Sequence, residues 1–249
     1  MYCLRRPLWF LIAFVACNSS GTGPNKPNLA ALDFTQSWVT VPDNNLLDFS
    51  TSWTLEAWVY PRAVAGGRQH VVSKWDGGGN ASYALEIDAA HLRVEVHDGV
   101  DPTQTVFSHG FLVDSAWQHI AATLSNHTLR LYINGVLDTT FANSQIPMNS
   151  DRPLSFGHEG PPYNGWLYNG VLDEVRVWNV ARSGPQIASA MAKHLAGTEA
   201  GLVGYWRFDE GSGDVAFDAT SNHLDGQLGS AVGPDANDPQ WTSNSAPVH

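Results

Sequence analysis

The chain is nearly without cysteine, poor in charge and poorer still in basic residues. Its 249 residues hold two cysteines, Cys3 and Cys17, and none from residue 18 onward. A disulfide framework or thiolate metal site in the body of the protein is therefore excluded. Charged residues make up only 15%, against a usual share of about 25%, so few of the Lys/Glu-rich faces of amphipathic helices can be present. The 13 basic residues face 24 acidic ones, a net charge of −11. That balance argues against nucleic acid or an anionic membrane surface as a partner and fits a soluble extracellular protein. Several catalytic patterns are also missing: a Gly-x-Ser-x-Gly elbow, a Gly-rich phosphate loop and His-Glu-x-x-His. What the chain has in quantity is aromatic residues (11%, with 10 Trp), 23 Gly and 14 Pro. Many turns between aromatic-rich segments predict an all-β domain, and about 200–250 residues is an ordinary size for one such domain.

The N-terminus reads as a targeting segment. Arg5 and Arg6 precede the apolar run Leu8–Val15, too short to span a bilayer. The run closes on Phe14-Val15-Ala16-Cys17, which resembles a bacterial lipoprotein signal in which Cys17 becomes the lipidated first residue. A plain secretory signal is the alternative. Removing residues 1–16 would take the charge to −13. Residues 17–28 then form an anchor and a flexible tether, because the run 18–28 has no apolar side chain to bury. The expected location is the cell surface or beyond, on the bacterial outer membrane through a lipid anchor. The expected domain covers 29–242, with a C-terminal tail at 243–249.

Within that domain short alternating runs recur between turn residues. In Thr128–Ile133, Leu129, Leu131 and Ile133 share one face of a half-buried strand, and Asn134-Gly135 supplies the two positive-φ positions of a tight hairpin. Similar runs begin at Trp53, Tyr83 and His91, giving the rhythm of an antiparallel sandwich or barrel. One short helix is predicted near 184–195, opened by the Ser183-Gly184-Pro185-Gln186 capping pattern.

In order along the chain come Ala31–Phe34, Val39–Pro42, Trp53–Val59, Val72–Lys74, Trp117–Thr123, Leu129–Gly135, Asn169–Trp178, Gly201–Gly211 and Asp218–Asn222 with Asp225-Gly226. This succession resembles a LamG-like jelly-roll domain of the concanavalin A-like lectin/glucanase superfamily, related to laminin-G and pentraxin folds. The resemblance implies an antiparallel two-sheet jelly-roll sandwich across nearly the whole mature chain. Trp53, Trp58, Trp117, Trp178 and Trp206 are expected to bury their rings in its core, as is Tyr168, and His119 to be structural. The superfamily's glucanases carry Glu-x-Asp-x-x-Glu on one strand; here Glu86-Ile-Asp88-Ala-Ala-His91 has His91 in the place of the acid, and Glu95 comes four residues later. No catalytic residue is assigned, and the domain is read as no enzyme.

Two kinds of site are expected. Asp173 would face the core with Val175 and Val177, and an inward carboxylate needs a donor or a cation. The family resemblance implies a structural Ca2+ on Asp173, with Asp33 or nearby backbone carbonyls as weaker partners, in keeping with the hard-oxygen preference of calcium. Asp218 and Asn222 form a second candidate, with turn closure as the alternative. For ligand contact, Tyr163 and Trp166 stand in the Gly/Pro-rich loop beginning at His158, and Trp75 stands in another loop. The expected partner of this apparent monomer is a glycan or an extracellular protein. The function readings are a carbohydrate-recognising module, a laminin-G-type adhesion domain, or less favourably a glycoside hydrolase.

Overall fold

The computed structural model describes residues 30–76, 81–100, 103–143, 145–162 and 165–249. The leader, Cys17, the tether and Tyr163 lie outside the described residues. Strands follow as β1 (Ala31–Thr35), β2 (Val39–Val41), β3 (Ser52–Pro61), β4 (Gln69–Lys74), β5 (Tyr83–Asp88), β6 (His91–Val96), β7 (Gln104–Phe111) and β8 (Gln118–Ser125). They continue as β9 (Thr128–Ile133), β10 (Val136–Ala142), β11 (Leu154–Phe156), β12 (Asn169–Trp178), then helix α1 (Gly184–Ala190), β13 (Leu202–Trp206), β14 (Val215–Ala216), β15 (Gly226–Leu228) and β16 (Gln240–Thr242).

Among the described residues these strands make two antiparallel sheets. The first runs β10-β9-β8-β3-β12-β1-β16, with β13 also paired to β12; the second runs β14-β15-β2-β11-β4-β5-β6-β7. Chain-distant strands lie side by side, as β3 does with β12 and β2 with β15, which is jelly-roll connectivity. Alternation explains the core. Trp53, Leu55, Ala57 and Val59 of β3 point between the sheets and meet Tyr83, Leu85 and Ile87 of β5, with Phe156 packed edge-on against Trp206 at 4.9 Å. Among the described residues no helix is long and apolar enough to cross a membrane.

Local signals are realised where predicted. Asn134 and Gly135 take φ of 51° and 74° in the β9–β10 turn. A Cβ on Gly135 would come within 2.9 Å of the Ala188 backbone, because α1 rests on this turn. Ser183 and Gln186 form the capping box, with Ser183 N–H donating to Gln186 Oε1 at 2.8 Å. The helix stops at Ala190, shorter than the expected 184–195. Sheet side chains take the carbonyls there: Arg176 donates to Ala190 O and Lys193 O, and Trp58 Nε1 donates to Met191 O. The orphan carbonyls of the helix end are thereby satisfied without another turn.

Two expectations need correction. Only Trp53 and Trp206 of the five tryptophans belong to the core between the sheets. Trp58 and Trp178 are buried on the outer face of the first sheet, and Trp117 is half-buried there against Tyr60. The cover over Trp58 is the C-terminal segment itself: Ala246 and Val248 pack on that ring, and His249 N–H donates to Ala192 O. Ala246, Val248 and His249 thus pack on the first sheet. The second correction concerns Asp173. Glu174 sits at φ 52° in a bulge that shifts the β12–β3 register between Asp173 and Arg176. Leu172 and Val175 still face the core, but Asp173 lies opposite Trp58 on the outer face, where it receives Ala246 N–H.

Candidate functional site

The β5–β6 hairpin turns through Ala89 and Ala90, both at positive φ (48° and 68°), so its register is tight. With Leu85, Ile87, Leu92 and Val94 in the core, Glu86, Arg93 and Glu95 must project from the outer face of the second sheet. Pairing sets Glu86 opposite Arg93 and Ala84 opposite Glu95, and β4 brings His70 opposite Glu86. Arg68, in the loop before β4, closes the group. Its Nε and Nη2 donate to the two Glu86 oxygens at 3.0 and 2.6 Å, and Nη2 also reaches Glu95. Arg93 Nη1 donates to Glu86 at 2.5 Å while its Nη2 serves Glu95. His70 Nε2 lies 3.2 Å from Glu86.

Trp166 stands on this group. Arg68 lies 4.0 Å from the indole centroid, and the His70 ring is parallel to it at 5.5 Å. The indole remains 42% exposed. Its backbone has φ 47°, rare for a bulky residue, and is pinned by His70 N–H donating to Trp166 O at 2.9 Å. The ring is thus a held platform, consistent with the strain that collects at binding positions.

The other predicted aromatics act as supports. Trp75 is buried against Ala81 and Ala84, with Arg68 5.8 Å from its ring. His158 is buried and stacked on Trp38 at 5.0 Å. Those two rings line a cleft of about 360 Å3 with Thr40, Pro42, Pro161, Gln227 and Ser230. It opens on the same outer face, since Thr40 and Ser155 continue the row of Ser73 and Ala84. Arg68, His70, Arg93 and Trp38 escaped the sequence reading, because a lone basic residue or a Trp beside a strand carries no local mark of its partners.

The carboxylates bear on catalysis. Spacing in the sequence separates Glu86 from Glu95, yet the hairpin places them side by side on one arginine. Both are buried, and each is bound by the guanidinium groups of Arg68 and Arg93. Burial pushes the Glu86 carboxyl up to about 7, against Arg68 and with Glu95 adding to the rise. Burial also holds His70 well below the imidazole range, helped by the charges of Arg68 and Arg93. Asp88 and His91 sit at the hairpin end, where His91 packs on Phe111.

The calcium candidates are not brought together. Asp173 accepts the backbone N–H groups of Glu174 and Ala246 at 2.9 and 2.8 Å. Burial pushes its carboxyl well above the usual carboxylate range. Asp33 forms a two-pronged bridge with Arg62. Asp218 organises its own turn, accepting N–H from Tyr205, Thr220 and Leu224, while Asn222 donates to Val203 O. Among the described residues no group of three or more His, Cys, Asp or Glu is arranged to hold a metal. Six to eight oxygens must converge on Ca2+, so a site here would draw on backbone carbonyls as well as these side chains. Thermal unfolding in calcium and in chelator tests it: a higher midpoint with calcium would establish a site by linkage, and an equal midpoint would exclude one.

Fold and site together define the class, a jelly-roll sandwich of the lectin and glucanase kind with a polar, aromatic outer face. The chain belongs to the concanavalin A-like lectin/glucanase superfamily: the Laminin_G_3 family model matches residues 33–188. Comparison with curated proteins finds no match. Among solved structures, a proposed carbohydrate binding protein from Bacteroides ovatus is similar with a TM-score of 0.71 and 20% identity, over 89% of this chain and 61% of that one. The chain thus spans less than two thirds of that relative. The CBM40 module of a Ruminococcus gnavus sialidase, bound to α2,3-sialyllactose, is similar at a TM-score of 0.53 and 14% identity, over 66% of this chain and 98% of that one. Domain 4 of a Geobacillus stearothermophilus arabinanase, with arabinotriose, gives 0.52 and 16%, over 64% and 75%. At these identities the likeness is one of fold.

Proposed function

We propose that this domain is a non-catalytic module that recognises carbohydrate outside the cell, using the outer face of the second sheet. The exposed Trp166 indole, held at fixed tilt by Arg68 and His70, carries the reading. A planar ring that stays 42% exposed suits the apolar C–H face of a sugar, and the nearby cleft at Trp38 and His158 supplies polar rims for hydroxyls. The carbohydrate ligands of the fold relatives support the same reading. The guanidinium clamp on Glu86 and Glu95 favours binding over hydrolysis.

The test is a glycan array followed by calorimetry on the best ligand. Trp166→Ala is expected to weaken that binding by about tenfold or more, the loss of one stacked aromatic contact, with an unchanged unfolding midpoint. The wild-type protein is expected to release no reducing sugar from laminarin. An array with no bound glycan, or equal affinity in Trp166→Ala, would sink the reading; hydrolysis lost in Glu86→Gln would replace it with a glycosidase.

A further inference from the structure

The outer face of the first sheet carries a second depression, on the opposite side of the sandwich from Trp166. It measures about 470 Å3, within the usual range of small-ligand sites. Its floor comes from β8 and β9, where alternation leaves Thr123, Ser125, Arg130 and Tyr132 facing outward while Leu124, Leu129 and Leu131 enter the core. Leu137 of β10 and the start of α1 form the walls. Gly184 allows that close approach, since a Cβ there would meet the Tyr132 ring at 3.3 Å.

Charge distinguishes this cleft. The protein has 24 acidic residues, yet none lines it, whereas Arg130 and Arg182 both do. Arg182 is occupied: it donates to Glu56 Oε1 at 3.0 Å and stacks on Trp178 at 4.1 Å. Arg130 is not. Of the described arginines, six are ion-paired, Arg207 donates to Leu195 O, and Arg130 alone has neither an ion pair nor a side-chain hydrogen bond. A half-buried guanidinium with five unanswered donors suits a carboxylate, which it can meet with two parallel bonds. The Thr123 and Tyr132 hydroxyls are likewise without partners among the described residues. They suit the hydroxyls of a small polar ring.

We infer that this cleft is a second binding site, for a sugar acid: a pyranose ring bearing a carboxylate, with Arg130 on the carboxylate and the Thr123, Ser125 and Tyr132 hydroxyls on the ring. The site stands apart from Trp166 and does not depend on it.

The experiment is NMR titration of the whole domain with methyl glucuronide and with N-acetylneuraminic acid, using methyl glucoside and acetate as controls. At least one sugar acid is expected to bind, with binding weakened about tenfold in Arg130→Ala, the value of one charge-assisted contact. Leu137→Asp, which adds a repelling charge at the exposed wall beside Tyr132, is expected to weaken it also. Trp166→Ala is expected to leave it unchanged. Arg130 has no ion pair and Leu137 is half-exposed, so both variants should retain the wild-type unfolding midpoint. Methyl glucoside binding as well as the acids, acetate binding as well as they do, or full affinity in Arg130→Ala would each overturn the inference. Loss in Trp166→Ala alone would overturn it while upholding the first site.

Discussion

Arg68→Ala is expected to lower stability by about 3 kcal/mol, or roughly 6–12 °C in the unfolding midpoint for a domain of this size, and to abolish glycan binding. Arg68 links three parts of the site. It pairs with Glu86 and Glu95, lies against Trp166 and reaches Trp75. Without it two buried carboxylates share Arg93 alone, and an uncompensated buried charge is costly. Trp166 loses the surface it rests on at the same time. Arg68→Lys keeps the charge but not the planar fork, so it is expected to recover part of the stability and little of the binding. Differential scanning calorimetry with calorimetric titration separates the two effects. A midpoint within about 2 °C of wild type would show that Arg68 is no keystone.

Glu56→Gln is the second large effect, expected at about 3–5 kcal/mol at neutral pH. Alternation turns Glu56 of β3 to the outer face of the first sheet, yet α1 and its flanking segments bury it completely. Arg182 donates to its Oε1, and His119 Nε2 lies 3.4 Å from Oε2. Burial alone would raise this carboxyl. The His119 contact and the charges of Arg176 and Arg182 outweigh burial and bring it down to about 2. Burial lowers His119 in turn, against the opposing pull of Glu56.

The sign of the pH dependence follows. A lowered carboxyl stabilises the fold fully above its ordinary 4.5, and that stability is lost as pH falls toward about 2. The gap between wild type and Glu56→Gln should therefore be widest above pH 4.5 and close on acidification. Glu86 acts the other way. Its raised carboxyl keeps a proton in the folded state, so stability falls as pH rises from 4.5 to about 7. Buried His70 and His119, both held below 6.5, add stability as pH rises to that value, so the Glu86 effect is read from the difference between wild type and Glu86→Gln. A difference that stays constant from pH 4.5 to about 7 would contradict the Glu86 assignment.

Much of the frame could be read locally. The Leu129–Ile133 alternation, the Asn134-Gly135 turn and the Ser183–Gln186 capping box each depend on neighbours within a few residues, and each stands where expected. Trp166 was legible as a loop aromatic for the same reason. Trp75 and His158 were not separable from it, because exposure depends on what folds over a ring: Ala81 and Ala84 over Trp75, Trp38 over His158. Asp173 failed for a local cause of another kind. One residue at positive φ, Glu174, reverses a period-two argument for everything on one side of it.

Periodicity and turn chemistry determined by themselves an antiparallel sandwich or barrel, since those features are short-range preferences of the backbone, and the resemblance of the ordered segments to a known family implied the jelly roll. The tertiary structure alone decided the site. Glu86, Glu95, Arg93, Arg68 and Trp166 come from four separate segments, and only strand pairing and loop closure set them within bonding distance. Burial decided the rest, because a carboxylate, a tryptophan or an arginine takes its role from which neighbours exclude water around it.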